Sequence, residues 1–390
     1  MDDLLRDVAA ELGHDVAPEW REAADAVARH RFLPERIWLD DGRGGYAPHD
    51  LGKDPAGWFR AAYANAPVVS QVNDGVEPDD PGDAWPSSSA SAPSIVFRML
   101  EELDLRDGMS VLEIGTGTGW SAGLLAHRLG GGNVSSVEVD PGLTARARTA
   151  LNASGLDPAV RCGDGRLGWS DRAPYDRTIS TCAVRSVPRS WIEQTRPGGV
   201  ILTPWESPWL CWGLLRLTLE EGGVAQGRFS PHSSFMLMRG HRTDLRVFRD
   251  VVRDDQQPAE SRTTAPAHAV AADEWDLGFT IGLCLRDVWK AWDDAPDVAG
   301  VSRRLWIATT DTASWAAVDH DGEHDDGFTV WQYGPRRLWD EVESVHRWWN
   351  DNGRPGPERF GLTITPDGTR TWLDTPARSL PGRAAPVLHP

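Results

Sequence analysis

The chain has 390 residues, of which 40% are hydrophobic and 25% are charged, so it is long enough for two or three globular domains with packed cores. Its formal net charge of -18, without a cluster of Lys and Arg, argues against nucleic acid and anionic lipid as partners. No apolar run approaches the ~20 residues of a membrane span, and the acidic N-terminus is unlike a secretory signal. We therefore expect a cytoplasmic protein that binds neither membranes nor nucleic acid.

The N-terminal region predicts helices followed by loops. Residues 2–31 are typical of two helices separated at Pro18. One helical face collects the apolar side chains Leu4, Leu5, Val8 and Leu12. Residues 40–56 are rich in Gly, Asp and Pro, and residues 73–86 are acidic and contain three prolines, so both stretches predict surface loops.

From residue 94 onward, predicted helices and strands alternate. The predicted helices cover residues 94–105, 120–129 and 141–153, and the predicted strands cover 110–114, 134–139, 177–181 and 200–203, with a further strand near Val160. Pro141 suits the first turn of its helix, where the missing N–H has no cost. Alternation of this kind predicts a parallel sheet covered by helices on both faces.

Beyond residue 204 the pattern changes. Residues 210–219 and 227–239 predict antiparallel strands, and residues 252–272, without clear periodicity, predict a linker or an irregular crossing segment. Residues 275–390 alternate strands with one clear helix and a hairpin near Asp367. The apolar face of that helix is formed by Leu338, Trp339, Val342, Val345 and Trp349.

A glycine-rich loop follows the strand at 110–114. Gly115, Gly117 and Gly119 occupy every second position after a strand that contains Glu113. Dinucleotide enzymes use Gly-x-Gly-x-x-Gly instead, to bring a helix N-terminus to a pyrophosphate. The spacing here favours close approach of the backbone to a ligand without phosphate, such as S-adenosylmethionine.

Two acidic residues follow the loop at the ends of the next strands. Glu138 ends the strand at 134–139 and is suited to accept hydrogen bonds from both ribose hydroxyls of a nucleoside. Asp164 follows the next strand and is suited to accept a bond from an adenine amino group. Carboxyl ends of parallel strands are where open α/β sheets bind ligands. A plain tight turn and a nicotinamide site are the alternatives to a methyl-donor site.

Several short runs resemble the protein-L-isoaspartate O-methyltransferase family over about half of the chain. They occur in the order known for that family: 29–35, 89–93, 111–120, 163–165, 173–177 and 196–199. In the second run, Ser91 matches the active-site serine and Ser89 matches a threonine.

The resemblance implies an α/β fold of the class I methyltransferase (Rossmann-like) type, with a mostly parallel seven-stranded sheet between helices. It also implies S-adenosyl-L-methionine as cofactor and a carboxyl group as methyl acceptor; the residues themselves predict no metal site. Ser91 and Ser89 are the candidate catalytic residues. The candidate cofactor-binding residues are Glu113, Gly115, Thr116, Gly117, Gly119, Glu138, Asp164 and Gly165.

Two features depart from the repair enzymes of that family. Some 150 Trp-rich residues follow the region where the compact repair enzymes end, and the serine-rich run 87–91 replaces their usual sequence. Both features resemble methyltransferases of ribosomal peptide natural product pathways (lanthipeptide, lasso peptide and graspetide), which methylate an Asp side chain. The ester then closes to an aspartimide, which hydrolyses to isoaspartate. The Trp residues predict core packing by default, with at most a few rings in a peptide groove.

The chemistry of carboxyl methylation needs alignment more than a base. A carboxylate, with a reference pKa of ~4, is already ionised at neutral pH. Holding the carboxylate in line with the methyl group lowers the activation free energy by ~7–11 kcal/mol. Ser91 is a candidate to aim the carboxylate; the structural alternative is that it caps the helix beginning near Pro93. The protein's negative charge opposes the approach of a carboxylate, so nearby cations should offset its field. The candidates, by their position near the active edge of the sheet, are Arg185, Arg228 and Arg239.

Three hypotheses follow, together with a division into domains. The first is methylation of an Asp side chain in a ribosomally made peptide, the second is isoaspartyl protein repair, and the third is a cofactor-fold binding module without activity. Residues 319–326, rich in His and acids, predict a charged turn rather than a metal site. The predicted divisions are 1–85 (helical segment and acidic loop), 86–245 (cofactor-binding domain) and 246–390 (α+β domain for peptide recognition).

Overall fold

The computed structural model describes residues 1–231, 233–271, 274–294, 296–323 and 327–381. The helices are α1 (Asp2–Leu12), α2 (Pro18–Ala26), α3 (Pro55–Ala62), α4 (Pro93–Glu102), α5 (Trp120–Leu129), α6 (Pro141–Ala153), α7 (Arg189–Gln194), α8 (Ala267–Ala271), α9 (Trp275–Cys284) and α10 (Leu338–Asp351).

The strands of the first half are β1 (Arg36–Asp40), β2 (Tyr46–Asp50), β3 (Val68–Val72), β4 (Pro86–Ala90), β5 (Val111–Ile114), β6 (Val134–Glu138), β7 (Ala159–Cys162), β8 (Tyr175–Ser180) and β9 (Thr195–Glu206). Those of the second half are β10 (Cys211–Glu220), β11 (Val224–Ser230), β12 (Ala259–Thr263), β13 (Val288–Asp293), β14 (Arg303–Thr309), β15 (Trp315–His320), β16 (Phe328–Tyr333), β17 (Phe360–Thr365) and β18 (Gly368–Leu373).

The described chain forms two compact units. The first comprises Met1–Cys182 and Val187–Thr203, and the second comprises Ala183–Ser186 and the described residues from Pro204 onward. The sequence-based division had its boundaries at residues 85 and 245 instead.

The parallel sheet of the first unit confirms the predicted alternation of strands and helices. β5 pairs in parallel with β6 and β8, β6 pairs with β7, and β8 pairs with β9. β5, β6 and β8 are buried along their whole length because helices cover both faces of the sheet, and Val111–Ile114 is accordingly almost entirely apolar. Their carboxyl ends share one edge, where Gly115, Glu138 and Thr181 follow or end the strands.

A second, antiparallel sheet precedes the parallel one, in the order β2-β1-β3-β4. The loop predicted over residues 40–56 is therefore partly wrong, because β2 and the start of α3 lie there. β2 has the polar sequence Tyr-Ala-Pro-His-Asp, yet all five of its residues pair with β1. Pairing with a neighbour decides strand formation here, against the local preference of Asp and Pro.

The predicted seven-stranded, mostly parallel sheet is wrong in strand number and in direction. Across the described residues the pairing order is β18-β17-β11-β10-β9-β8-β5-β6-β7, a mixed sheet of nine strands. The hairpin β17–β18 pairs antiparallel with β11, from Ala225 opposite Ile364 to Arg228 opposite Gly361. A partner more than 130 residues away along the chain leaves no local signal in the sequence of β11, whose unpaired edge the hairpin covers.

The second unit also contains a five-stranded antiparallel sheet in the order β12-β16-β15-β14-β13. β12 and α8 lie within residues 252–272, so the linker or irregular crossing segment predicted there is wrong for those two stretches. α9 was also missed, because residues 277–284 are all buried and show no amphipathic period. The predicted apolar face of α10 is confirmed, since its five apolar residues are the buried ones.

The Trp residues of the second unit mostly pack in cores, as predicted. The buried ones include Trp306, Trp315, Trp339, Trp349 and Trp372. Trp275 differs, with 52% of its surface exposed. None of the helices in the described part of the chain is long and apolar enough to span a bilayer.

Candidate cofactor and methyl-transfer site

The three glycines of the loop have backbone conformations that other residues rarely adopt. Gly115, Gly117 and Gly119 have φ values of +92°, +55° and +92°. A Cβ at Gly115 would lie 2.7 Å from Thr181 Oγ1, and one at Gly119 would lie 3.1 Å from the Cβ of Ala147. The loop therefore needs glycine both for its left-handed turns and for its close packing.

Glu138 is held against this loop by backbone donors. Its Oε2 accepts the Gly117 N–H at 2.8 Å and its Oε1 accepts the Asp140 N–H at 3.0 Å. The side chain is only 6% exposed. Each carboxylate oxygen has a second lone pair, so the group can still accept two hydroxyl hydrogen bonds. This geometry fits the ribose of S-adenosylmethionine.

Glu113 lies beneath the loop and is fully buried. Ser136 Oγ donates to Glu113 Oε2 at 2.5 Å, and Thr116 Oγ1 lies 2.6 Å from the same Ser136 hydroxyl. Burial raises the pKa of Glu113 to about 7. The negative charge of Glu138 also raises this pKa, whereas hydrogen bonds from the hydroxyls of Ser136 and Ser121 lower it. The carboxyl group of Glu113 does not reach the surface, and its connection to the loop runs through the hydroxyls of Ser136 and Thr116.

Asp164 is on the next strand end, with its side chain 33% exposed. Its Oδ1 accepts the Arg166 N–H at 2.9 Å, and its Oδ2 pairs with Arg166 Nη2 at 2.7 Å. The neighbouring Gly165 carbonyl accepts Trp191 Nε1 at 2.8 Å. These contacts fix the orientation of the carboxylate just beyond the carboxyl end of β7, the strand that pairs with β6.

The serine segment of β4 lies directly against the glycine loop. The nearest atoms to a Cβ built on Gly117 are Ser88 Oγ at 3.7 Å and the Ser89 carbonyl oxygen at 3.8 Å. Ser89 is paired with Val69 of β3. The structure thus brings the candidate catalytic segment and the candidate cofactor loop together, although 25 residues separate Ser91 from Thr116 along the chain.

The alternative in which Ser91 caps α4 is wrong. The cap position of α4 is Ala92, and no side chain at that position accepts a hydrogen bond. Asn65 Oδ1 accepts the Ser94 N–H at 2.9 Å instead. Among the described residues the Ser91 hydroxyl has no hydrogen-bond partner, so it is available to a substrate.

Arg29 is a site residue whose role the sequence did not reveal. It is fully buried, and its two terminal nitrogens donate to five backbone carbonyls: Ala62, Ala64, Ala66, Ala90 and Ser91. Its guanidinium lies 5.6 Å from the centre of the Trp120 ring, and burial lowers its pKa to about 10. The arginine belongs to the run 29–35 that carries the family resemblance, but nothing local indicates its five acceptors.

Gln71 links the antiparallel sheet to Asp140, two residues after Glu138. Its Nε2 donates to Asp140 Oδ2 at 3.0 Å, and its Oε1 accepts the Ser87 hydroxyl at 3.0 Å. Asp140 in turn caps α6 through Leu143 N–H and donates its own N–H to Glu138. Sequence analysis missed Gln71 because it missed the strand β3 that positions it.

The other sequence candidates have partners elsewhere in the second unit. Arg185 Nη2 pairs with Glu206 at 2.8 Å, and Arg228 Nη2 donates to the Asp374 carbonyl at 2.5 Å. Of the charged turn, Asp319 pairs with Arg304 and accepts Trp331 Nε1 at 3.0 Å. Residues 324–326 of that turn lie outside the described residues. In the described ranges no group of three His, Cys, Asp or Glu side chains could hold a metal ion.

Comparisons with known proteins agree with this geometry. The family described as "Protein-L-isoaspartate(D-aspartate) O-methyltransferase (PCMT)" matches residues 57–209. A protein-L-isoaspartate O-methyltransferase from Anaeromyxobacter dehalogenans is 47% identical over 206 residues, which cover 52% of this chain and 80% of the relative. One from Ignicoccus hospitalis is 39% identical over 206 residues, covering 52% and 81%. One from Pyrococcus horikoshii is 38% identical over 146 residues, covering 37% of this chain and 66% of the relative.

A solved protein-L-isoaspartate O-methyltransferase has a similar fold over nearly the whole chain. It is 20% identical, with a TM-score of 0.53, and the match covers 96% of this chain and 99% of that structure. The likeness in fold therefore extends over the C-terminal half of this chain as well. The parallel sheet, the glycine loop and the two acidic strand ends define a class I S-adenosylmethionine-dependent methyltransferase. The chain belongs to the protein-L-isoaspartate O-methyltransferase family, whose members are carboxyl O-methyltransferases.

Proposed function

We propose that this protein transfers a methyl group from S-adenosylmethionine to the side-chain carboxylate of an aspartate-derived residue in a peptide. The observation that carries the proposal is the contact between two segments. The glycine loop with Glu138 suits the nucleoside, and the Ser88–Ser89 backbone next to Gly117 leads to a serine hydroxyl without a partner among the described residues. The methyl donor supplies an electrophilic methyl group on a positively charged sulfur, so a carboxylate needs no base to attack it.

The residues of this chain then have three tasks. Glu138 binds the ribose hydroxyls, while Asp164 accepts a bond from the adenine amino group. Ser91 donates one neutral hydrogen bond to the incoming carboxylate and so aims its other oxygen at the methyl carbon. A single hydroxyl is a suitable donor, because a cationic partner would stabilise the ground-state anion and weaken its attack.

The charge change favours a dry site. A carboxylate and a sulfonium combine to give a neutral ester and a neutral thioether, so the reaction removes two opposite charges. Water stabilises the separated charges of the reactants more than the neutral products, and its exclusion therefore favours transfer. The segment around Ser91 is partly buried, and the loop residues Thr116 and Thr118 are buried, which is consistent with this requirement.

The substrate we favour is an ordinary Asp side chain in a ribosomally made peptide in the cytoplasm. The support is the serine-rich run 87–91, with serine where the repair enzymes have threonine, and the Trp-rich second unit. In this pathway the methyl ester closes to an aspartimide as the next backbone nitrogen attacks its carbonyl carbon and methanol leaves.

The second candidate is methylation of isoaspartyl residues in protein repair. The support is the name shared by the relatives from three organisms and the similar fold of a solved relative across 96% of this chain. The two candidates use the same cofactor site and differ only in the geometry of the acceptor carboxylate.

The test compares two short peptides, identical except for Asp or isoAsp at one position. Methyl transfer is measured with labelled S-adenosylmethionine, for the wild type and for Ser91→Ala, with Ser344→Ala, at an exposed serine of α10, as the control. Turnover confined to isoAsp would favour repair, and turnover on Asp would favour peptide maturation. Full activity of Ser91→Ala would contradict the role given to Ser91. Binding of S-adenosylhomocysteine with no transfer to either peptide, or to a candidate precursor peptide, would contradict the proposed function.

A further inference from the structure

A cleft in the second unit lies apart from every residue used so far. It has a volume of about 400 Å³. One wall is the end of α9, with Leu283, Cys284 and Arg286, and the other is the hairpin β17–β18 with its threonines. Leu380 also lines the cleft. The volume is within the range of small-molecule sites, ~300–1,000 Å³.

Arg286 differs from the other partly buried arginines of this unit. Arg304 pairs with Asp319, Arg336 pairs with Asp287 and Glu341, and Arg359 pairs with Asp374. Among the described residues, Arg286 has neither a carboxylate within ion-pair distance nor a hydrogen-bond acceptor. Burial lowers its pKa, and the only opposing influence is the nearby Cys284 thiol, which is itself buried.

An uncompensated guanidinium in such a place is costly. Removing part of its hydration costs free energy that a paired carboxylate normally offsets. Thr369 and Thr371 line the same cleft, and their hydroxyls have no hydrogen-bond partner in the described chain. The cleft therefore presents one fixed cation and neutral donors together, beside the apolar side chains of Leu283 and Leu380.

The rim carries charges of both signs. Arg370 is exposed at the hairpin and adds a second cation, whereas Asp367 at the turn adds one negative charge. No ion pair joins these two residues within the described ranges. The net charge of the cleft is thus positive, in a protein whose formal net charge is -18.

We infer that this cleft binds the carboxylate of a short peptide or a similar small ligand, with Arg286 as the fixed partner of that group. A guanidinium presents two parallel N–H donors that match the two oxygens of a carboxylate. Thr371 donates a further hydrogen bond, and the alkyl part of the ligand packs on Leu283 and Leu380. This site is separate from the proposed methyl transfer and does not depend on it.

The experiment titrates the full chain with acetyl-Gly-Leu bearing a free C-terminal carboxylate, and with the same peptide as its C-terminal amide. Binding is followed by NMR of the Leu283 and Leu380 methyl groups. Inorganic phosphate is the second probe, to separate carboxylate from phosphate recognition. The variants are Arg286→Met and Arg286→Lys, with Arg347→Met on the exposed side of α10 as the matched control. Affinity for S-adenosylhomocysteine, measured in every variant, reports separately on the cofactor site.

We expect saturable shifts with the carboxylate peptide, at least ten-fold weaker binding of the amide, and loss of binding in Arg286→Met. Arg286→Lys should bind more weakly than the wild type, and Arg347→Met should bind equally. Without ligand, Arg286→Met should be at least as stable as the wild type, because it removes a charge with no partner. Equal binding of the amide, binding of phosphate alone, unchanged binding by Arg286→Met, or a clear loss of stability in that variant would each overturn the inference.

Discussion

Arg29 Nη2 donates to the carbonyl oxygen of Ser91 at 3.0 Å, and to that of Ala90 at 3.2 Å. A residue from the start of the chain thus holds the backbone of the segment that carries the candidate catalytic hydroxyl. Because the same guanidinium also binds the carbonyl of Ala62 at the end of α3 and two carbonyls between α3 and β3, it fixes Ser91 relative to the antiparallel sheet. Arg29 is therefore a candidate positioning residue, because it binds the backbone of the Ser91 segment.

The first prediction concerns Arg29→Lys. A single ammonium group cannot serve five carbonyls, so the Ser91 segment should shift and the rate of methyl transfer at saturating substrates should fall. Misplacement by about 1 Å costs ~10²-fold in rate, and we expect a loss of that order. Binding of S-adenosylhomocysteine should change much less. Arg31→Lys, at an exposed neighbouring position, is the control. An unchanged rate constant in Arg29→Lys would contradict a positioning role for Arg29.

The second prediction concerns pH and Glu113. Burial raises the pKa of Glu113 from 4.5 to about 7, so between these values the folded protein holds a proton that the unfolded chain has lost. The free energy of unfolding contributed by this residue therefore falls as pH rises through that window, by about 3 kcal/mol. Below pH 4.5 the residue is protonated in both states and contributes no pH dependence.

Glu113→Gln should remove this contribution, because an amide does not titrate. Urea unfolding of the wild type and the variant at several pH values between 4.5 and 7 measures the difference. Glu22→Gln, an exposed acid on α2, should reproduce the pH dependence of the wild type. Parallel curves for the wild type and Glu113→Gln would mean that Glu113 does not titrate in this window.

The third prediction concerns Glu138→Gln. The amide nitrogen would replace one of the two oxygens that accept the Gly117 and Asp140 N–H groups. The NH2 group of the glutamine would then point at a backbone N–H, and neither group can accept the other's hydrogen. A lost hydrogen bond to a charged group costs ~2–3 kcal/mol, which corresponds to roughly 10²-fold weaker binding. Calorimetric titration with S-adenosylhomocysteine measures this loss. Glu193→Gln, on the exposed side of α7, should bind as the wild type does; an unchanged affinity in Glu138→Gln would place the ribose elsewhere.

The fourth prediction compares two glycines. Gly115→Ala should destabilise the fold by ~1–3 kcal/mol, because its φ of +92° is strained for alanine and its Cβ would lie 2.7 Å from Thr181 Oγ1. Gly132→Ala should have little effect, since no atom lies within 4 Å of its Cβ position. Thermal unfolding with and without S-adenosylhomocysteine measures both the stability and the cofactor response. Equal melting temperatures for the two variants would show that the loop tolerates a side chain at Gly115.

The sequence by itself determined the parallel βα core and indicated the candidate cofactor residues. Strands such as β5, their terminal glycines and the acidic positions Glu138 and Asp164 follow one another within short, regular intervals, so local pattern is sufficient to predict them. The apolar face of α10 was readable for the same reason, because its 3.6-residue period lies within one helix.

Only the tertiary structure decided the features that depend on distant partners. β2 is a strand because β1 pairs with it, although the sequence of β2 shows no alternating pattern of its own. β17 extends the sheet because it pairs with the edge of β11, a distant partner that its own sequence does not indicate. Arg29 reaches its acceptors across as many as 62 residues of chain, and Arg286 is distinguished by the absence of a partner in the described chain. Local periodicity cannot encode such relationships, because they arise from which surfaces meet after the chain has folded.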